Sequence, residues 1–119
     1  MNFNGRIEMS YNVCGTKIWL TRGDTFKAKV EIFDCEDSEE QYIPQPGDEI
    51  RFAVKRQWNS SDILISKKIP IDTMILELEP EDTKPLRFRP YVYDIQLTYA
   101  NGDVDTFIKG MLCITPETY

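Results

Sequence analysis

The stretch from Tyr91 to Ile108 constrains the fold more than any other. Tyr91, Tyr93, Ile95, Leu97 and Tyr99 alternate with Val92, Asp94, Gln96 and Thr98, and after Asn101-Gly102 the residues Val104, Thr106 and Ile108 alternate with Asp105, Phe107 and Lys109. A period of two places each set on its own face of a strand. Asn-Gly between two such runs favours a type I′ turn, whose central residues both need positive φ. The segment reads as a β-hairpin, and the rest of the chain follows the same grammar.

A first strand begins at Ile18-Trp19-Leu20 and ends at the Gly23-Asp24 turn signal. From Thr25 to Phe33, Phe26, Ala28, Val30 and Ile32 face one way and Lys27, Lys29 and Glu31 the other, a strand with one solvated face. Ile50, Phe52 and Val54 alternate with Arg51, Ala53 and Lys55. Trp58 to Asp62 is polar and turn-like, and Ile63 to Ile69 returns as a partner strand. Met74, Leu76 and Leu78 mark another strand. Pro80 to Pro85 allows a helical turn at most, because Pro85 fits poorly inside a helix. Gly110 is expected to turn the chain before a last short strand, Met111 to Thr115.

Seven to nine short strands at spacings near ten residues, with no convincing helix, predict an all-β, antiparallel β-sandwich. At 119 residues the chain fits one domain and can bury a core without metal or disulfide support. Residues 16–119 are expected to form that domain. Residues 1–15 read either as an extra strand, since Ile7, Met9 and Tyr11 alternate with Glu8 and Ser10, or as an arm that orders against a neighbour. The expected core is Phe26, Val30, Ile50, Phe52, Val54, Leu76, Leu78, Tyr93, Ile95, Leu97 and Ile108.

The sandwich is immunoglobulin-like by analogy. Glu81-Asp82-Thr83 shortly before Tyr91-Val92-Tyr93 resembles the E–F corner of such domains, where a tyrosine bonds the backbone upstream, and either Tyr91 or Tyr93 fits that place. The cross-sheet disulfide is absent; Val30 and Ile95 suit the core where the cysteines would otherwise sit. Cys14, Cys35 and Cys113 are odd in number and far apart, and read as free thiols, some of them buried as small hydrophobes.

Catalytic grammar is missing. There is no histidine, so a cysteine nucleophile lacks its usual base, and zinc would have to rely on carboxylates. The six glycines are scattered at turns, with no phosphate loop and no nucleophile elbow. The pairs Asp103 with Asp105 and Glu77 with Glu79 share strand faces in the manner of a glycosidase pair, but carboxylates on exposed faces mostly confer solubility. The acidic run Asp34 to Gln41 contains Glu36, Asp37, Glu39 and Glu40; it lacks the order of an EF-hand and reads as a solvated loop, with a weak cation site as the alternative. No enzyme and no cofactor is expected.

Fourteen basic against twenty acidic residues give a net charge of −6, the wrong sign for direct nucleic-acid or anionic-lipid binding and the right one for a basic partner. No apolar run spans a membrane and no signal peptide is evident, so synthesis in the cytoplasm is expected.

Several segments together carry a resemblance: Gly23-Asp24-Thr25-Phe26, Gly47 to Lys55, Leu76 to Thr83, and Tyr93 to Thr98 with Gly102 to Thr106. The chain resembles small uncharacterised β-sandwich proteins of tailed phages and prophages of Gram-positive bacteria. It is also similar to the N-terminal module of some baseplate receptor-binding-device proteins. The resemblance covers roughly residues 20–116. It implies a structural module, possible in a virion, that packs against copies of itself or a neighbouring tail protein through strand edges. A second reading is a small acidic inhibitor that occupies a basic groove of a host protein such as a nuclease, with Glu36, Asp37, Glu39 and Glu40 as its contact. A third, a carbohydrate-binding module, would stack sugars on Trp19, Trp58 or surface tyrosines, against the alternative that these aromatics fill the core or protein contacts.

Overall fold

The computed structural model describes residues 3–8, 13–34 and 41–116. Its strands are β1 (Phe3–Ile7), β2 (Val13–Cys14), β3 (Lys17–Thr21), β4 (Phe26–Asp34), β5 (Glu49–Lys55), β6 (Ile65–Ile69), β7 (Ile75–Leu78), β8 (Pro90–Thr98) and β9 (Val104–Thr115), with one helical turn, α1 (Pro80–Thr83). They form a three-stranded sheet in the order β1-β4-β7 and a six-stranded sheet in the order β2-β3-β9-β8-β5-β6. The pairings β4 with β7, β5 with β8 and β8 with β9 match strands B–E, C–F and F–G of an immunoglobulin-like sandwich, with β6 in the place of C′. All eleven residues expected in the core are buried, joined by Ile7, Val13, Ile18, Leu20, Ile32, Leu112 and others.

One pair departs from the antiparallel rule. Lys17–Thr21 runs parallel to Met111–Thr115, so β3 closes the open edge of β9. Alternation is the same in parallel and antiparallel strands, and so carries no information about direction. Of the two alternatives for residues 1–15, the described part takes the strand. β1 pairs with β4 and buries Ile7, while β2 pairs with β3 and buries Val13.

The hairpin is present with a different turn and a shifted register. Gly102 has φ of 95°, while Met74 is the one non-glycine with positive φ among the described residues, so Asn101 does not take the type I′ geometry. Gly102 N–H donates to the Tyr99 carbonyl at 2.9 Å and Tyr99 N–H to the Asp103 carbonyl at 2.8 Å. This is a three-residue loop, a type I turn closed by a glycine bulge. Further along, Ile95 lies opposite Ile108 but Gln96 lies opposite Thr106, leaving Phe107 as an extra residue. The bulge turns both Phe107 and Ile108 inward, where strict alternation puts Phe107 outside.

Gly110 does not turn the chain. It lies inside the twelve-residue β9, where an added Cβ would stand 2.3 Å from the Thr16 carbonyl oxygen and 2.9 Å from the Tyr93 ring. The Tyr93 hydroxyl donates to that same carbonyl, and burial raises its pKa. The corner tyrosine is Tyr91. Its hydroxyl accepts from Arg87 N–H at 2.9 Å and donates to the Arg87 carbonyl at 3.0 Å, anchoring the loop after α1. The buried Thr83 hydroxyl accepts from Gly23 N–H at 2.8 Å, tying α1 to the β3–β4 turn.

Candidate functional site

One face of the six-stranded sheet covers the core; the other points outward. Along β3, Ile18 and Leu20 are buried, so Lys17 and Trp19 face out. On β8, Tyr91, Tyr93, Ile95 and Leu97 point in, leaving Val92, Asp94 and Gln96 outside; on β5, Arg51, Ala53 and Lys55 point out. The register stacks these residues into rows across the sheet. Lys17, Met111, Val92 and Lys55 form one row. Trp19, Cys113 and Pro90 form the next on one side, and Lys109, Asp94, Ala53 and Ser66 on the other.

The centre of this face is apolar. Trp19 is 39% exposed, Met111 40% and Trp58 54%. Trp58, on the loop after β5, lines a shallow recess with Ala53, Lys55, Val92, Tyr93 and Asp94. β3 and β5 lie three strand spacings apart, so the patch reaches about 14 Å across the sheet. Its rim is cationic: Lys17, Lys55, Lys109, Arg51 and Lys68 face out against the carboxylates Asp94 and Glu49. Glu49 is held by Arg51 at 2.8 Å, which lowers its pKa. Burial raises the pKa of Asp94, and Lys55 and Lys109 pull it the other way. A positive face on a chain of net charge −6 means that the acids are concentrated elsewhere.

Three of them, Asp48, Asp103 and Asp105, lie at the end where β5 begins and the β8–β9 hairpin turns. The Tyr42 hydroxyl donates to Asp48 at 2.6 Å, and its pKa is pushed up to about 12, by burial first and then by that hydrogen bond and the carboxylate's charge. The Tyr99 pKa is raised by burial and then by Asp105, Asp48 and Asp103, which puts three carboxylates around one phenol. None of the three forms an ion pair with a lysine or arginine among the described residues. One Asp105 oxygen is buried with no hydrogen-bond partner among the described residues. Two large apolar side chains are exposed at the same end: Ile43 at 63% and Val104 at 58%.

The residues singled out in the sequence fare differently. Trp19 and Trp58 are both at the surface and both belong to the outward face, although Trp58 comes from a loop. The Lys17 ammonium lies 5.0 Å from the centre of the Trp19 ring, which occupies a surface that a sugar would stack on. Glu36, Asp37, Glu39 and Glu40 lie outside the described residues, as does Cys35. Cys14 is exposed and Cys113 half-buried, both as free thiols, so neither is sealed in the core. The pair Glu77 and Glu79 is exposed; Glu77 meets Lys27 at 3.5 Å and raises the Glu79 pKa through a hydrogen bond. Asp105 opposes the buried Leu97, while Asp103 accepts from Asn101 in the turn.

Val92 and Met111 were not among the sequence candidates. Their signal was an apolar residue in the polar half of an alternating strand. Among the described residues no group of three or more His, Cys, Asp or Glu side chains is placed to hold a metal ion, and no helix is long and apolar enough to cross a membrane. Compared with protein-family models and with curated proteins, the sequence gives no match.

Proposed function

We propose that this chain is a non-enzymatic interaction module whose partner is protein. On the strength of its resemblance, we place it among tail- or baseplate-associated structural proteins of phages and prophages. The observation that carries the reading is the apolar outward face: Trp19, Met111, Val92 and Trp58 side by side on a sheet whose opposite face already covers the core. An aromatic and methionine-bearing centre with a polar rim is the anatomy of a protein interface. Aromatic anchors of this kind carry most of the binding energy where they are desolvated.

The test is co-expression with the products of adjacent genes, followed by sizing chromatography. A complex is expected that Trp58→Ala weakens and Val92→Glu abolishes, with circular dichroism unchanged in both. A complex indifferent to both substitutions would remove the outward face from the reading. A second reading, an acidic inhibitor of a basic host protein such as a nuclease, is favoured by Asp48, Asp103 and Asp105, which form no ion pair among the described residues. Charge reversal at Glu36, Asp37, Glu39 and Glu40 separates the two. It leaves binding through the outward face intact and abolishes occupation of a basic groove.

A further inference from the structure

We infer that the partner of the outward face is the acidic end of a second copy of this chain, so that molecules associate end to face; this rests on the interaction-module reading and names its partner. The two surfaces match in both polarity and charge. The face offers Trp19, Trp58, Val92 and Met111 within a rim of Lys17, Lys55 and Lys109. The end offers exposed Ile43, Asp103 and Val104 together with half-buried Asp48 and Asp105.

Each surface is poorly matched to itself. Face against face would bring lysine rims together, and end against end would crowd carboxylates that form no ion pair among the described residues. Like charges brought together in a partly desolvated contact repel each other strongly. A symmetric dimer therefore buries repulsion, whereas end on face places carboxylates against ammonium groups and apolar side chains against apolar side chains. An interface of two different patches leaves one of each open on every assembled pair. It continues into a filament unless the rotation between copies closes it into a ring.

The experiment is analytical ultracentrifugation of the full chain over a range of concentrations at low and high salt, with two blocked variants. Lys17→Glu with Lys109→Glu poisons the face; Asp103→Lys with Val104→Lys poisons the end. All four positions are exposed, so both variants are expected to fold, which circular dichroism checks. The wild type is expected to grow beyond the dimer with rising concentration at low salt and to dissociate at high salt, where screening shortens the reach of the charges. Each variant alone is expected to be monomeric. Their equimolar mixture has one intact end and one intact face, and is expected to stop at a dimer.

A wild type that stays monomeric throughout would overturn the inference, even where co-expression yields a complex with a neighbouring gene product and so upholds the interaction module. A dimer that either variant forms alone would overturn it too, because that contact is symmetric. Should a variant unfold, Trp58→Ala on the face and Val104→Arg at the end replace the pair, with the same outcomes deciding.

Discussion

Gly110→Ala tests the join between the parallel strand β3 and the rest of the sheet. An alanine Cβ would sit 2.3 Å from the Thr16 carbonyl oxygen, and 2.9 Å from both the Thr16 Cβ and the Tyr93 ring. Ordinary contact begins near 3.5 Å, so something must move by about 1 Å. Either the β2–β3 connection lifts away from β9, or the Tyr93 ring tilts. Overpacking of this kind costs about 1–3 kcal/mol. Both movements also stretch the hydrogen bond from Tyr93 to Thr16, and leaving that buried hydroxyl unpaired adds about 1–3 kcal/mol. The expected loss is therefore about 2–6 kcal/mol, against a total stability of about 5–15 kcal/mol for an ordinary domain. Urea unfolding should show the midpoint falling by about 1–3 M at unchanged slope. In a Tyr93→Phe background the same substitution should cost less, because the hydrogen bond is already gone. A loss under about 0.5 kcal/mol would refute the close approach of Gly110 to the β2–β3 turn.

Three further outcomes are expected. Ile95→Ala, at a position with no exposed surface, should cost about 2–5 kcal/mol in the same assay; under about 0.5 kcal/mol would mean an inverted register. Tyr91→Phe removes both bonds to Arg87 and should cost about 1–3 kcal/mol, and amide hydrogen exchange should rise at Arg87, whose N–H loses its acceptor. Tyrosine ionisation should destabilise the fold at high pH. The folded-state pKa of Tyr42 lies near 12 and those of Tyr93 and Tyr99 are raised too, so their stabilisation is full below pH 10 and falls as pH rises through 12. A stability flat across that range would contradict the burial of these phenols.

Much of the fold was legible because the strands are amphipathic. Phe52, Ile95 and Leu76 could be placed inside from alternation alone, and all three are buried. What alternation cannot express is a change of phase or of direction. The extra residue at Phe107 resets the register of β9 with no Gly or Pro to announce it. The parallel pairing of β3 with β9 leaves no trace in either strand. Gly110 looked like a turn because glycine most often serves that role. Here it was needed because a backbone carbonyl passes where a side chain would stand. The tryptophans of the outward face were visible as residues but not as neighbours. Trp58 joins Val92 only through the pairing of β5 with β8, a long-range fact that no local pattern holds.

The β3–β9 pairing also fixes when the fold can finish. The Thr21 and Thr115 hydroxyls meet at 3.4 Å although 94 positions separate them in the chain. During synthesis, β3 emerges early with Ile18 and Leu20 ready to be buried, yet the edge it pairs with does not exist until Thr115 has been made. Contacts of such long separation slow folding, since loop closure must precede any gain. Until then one edge of an apolar strand stands open on every nascent chain, the condition in which neighbouring copies exchange strands or aggregate. A ribosome-bound chain halted before β9 should thus expose β3 to proteases and chaperones, and extending it through Thr115 should protect both ends of the molecule at once.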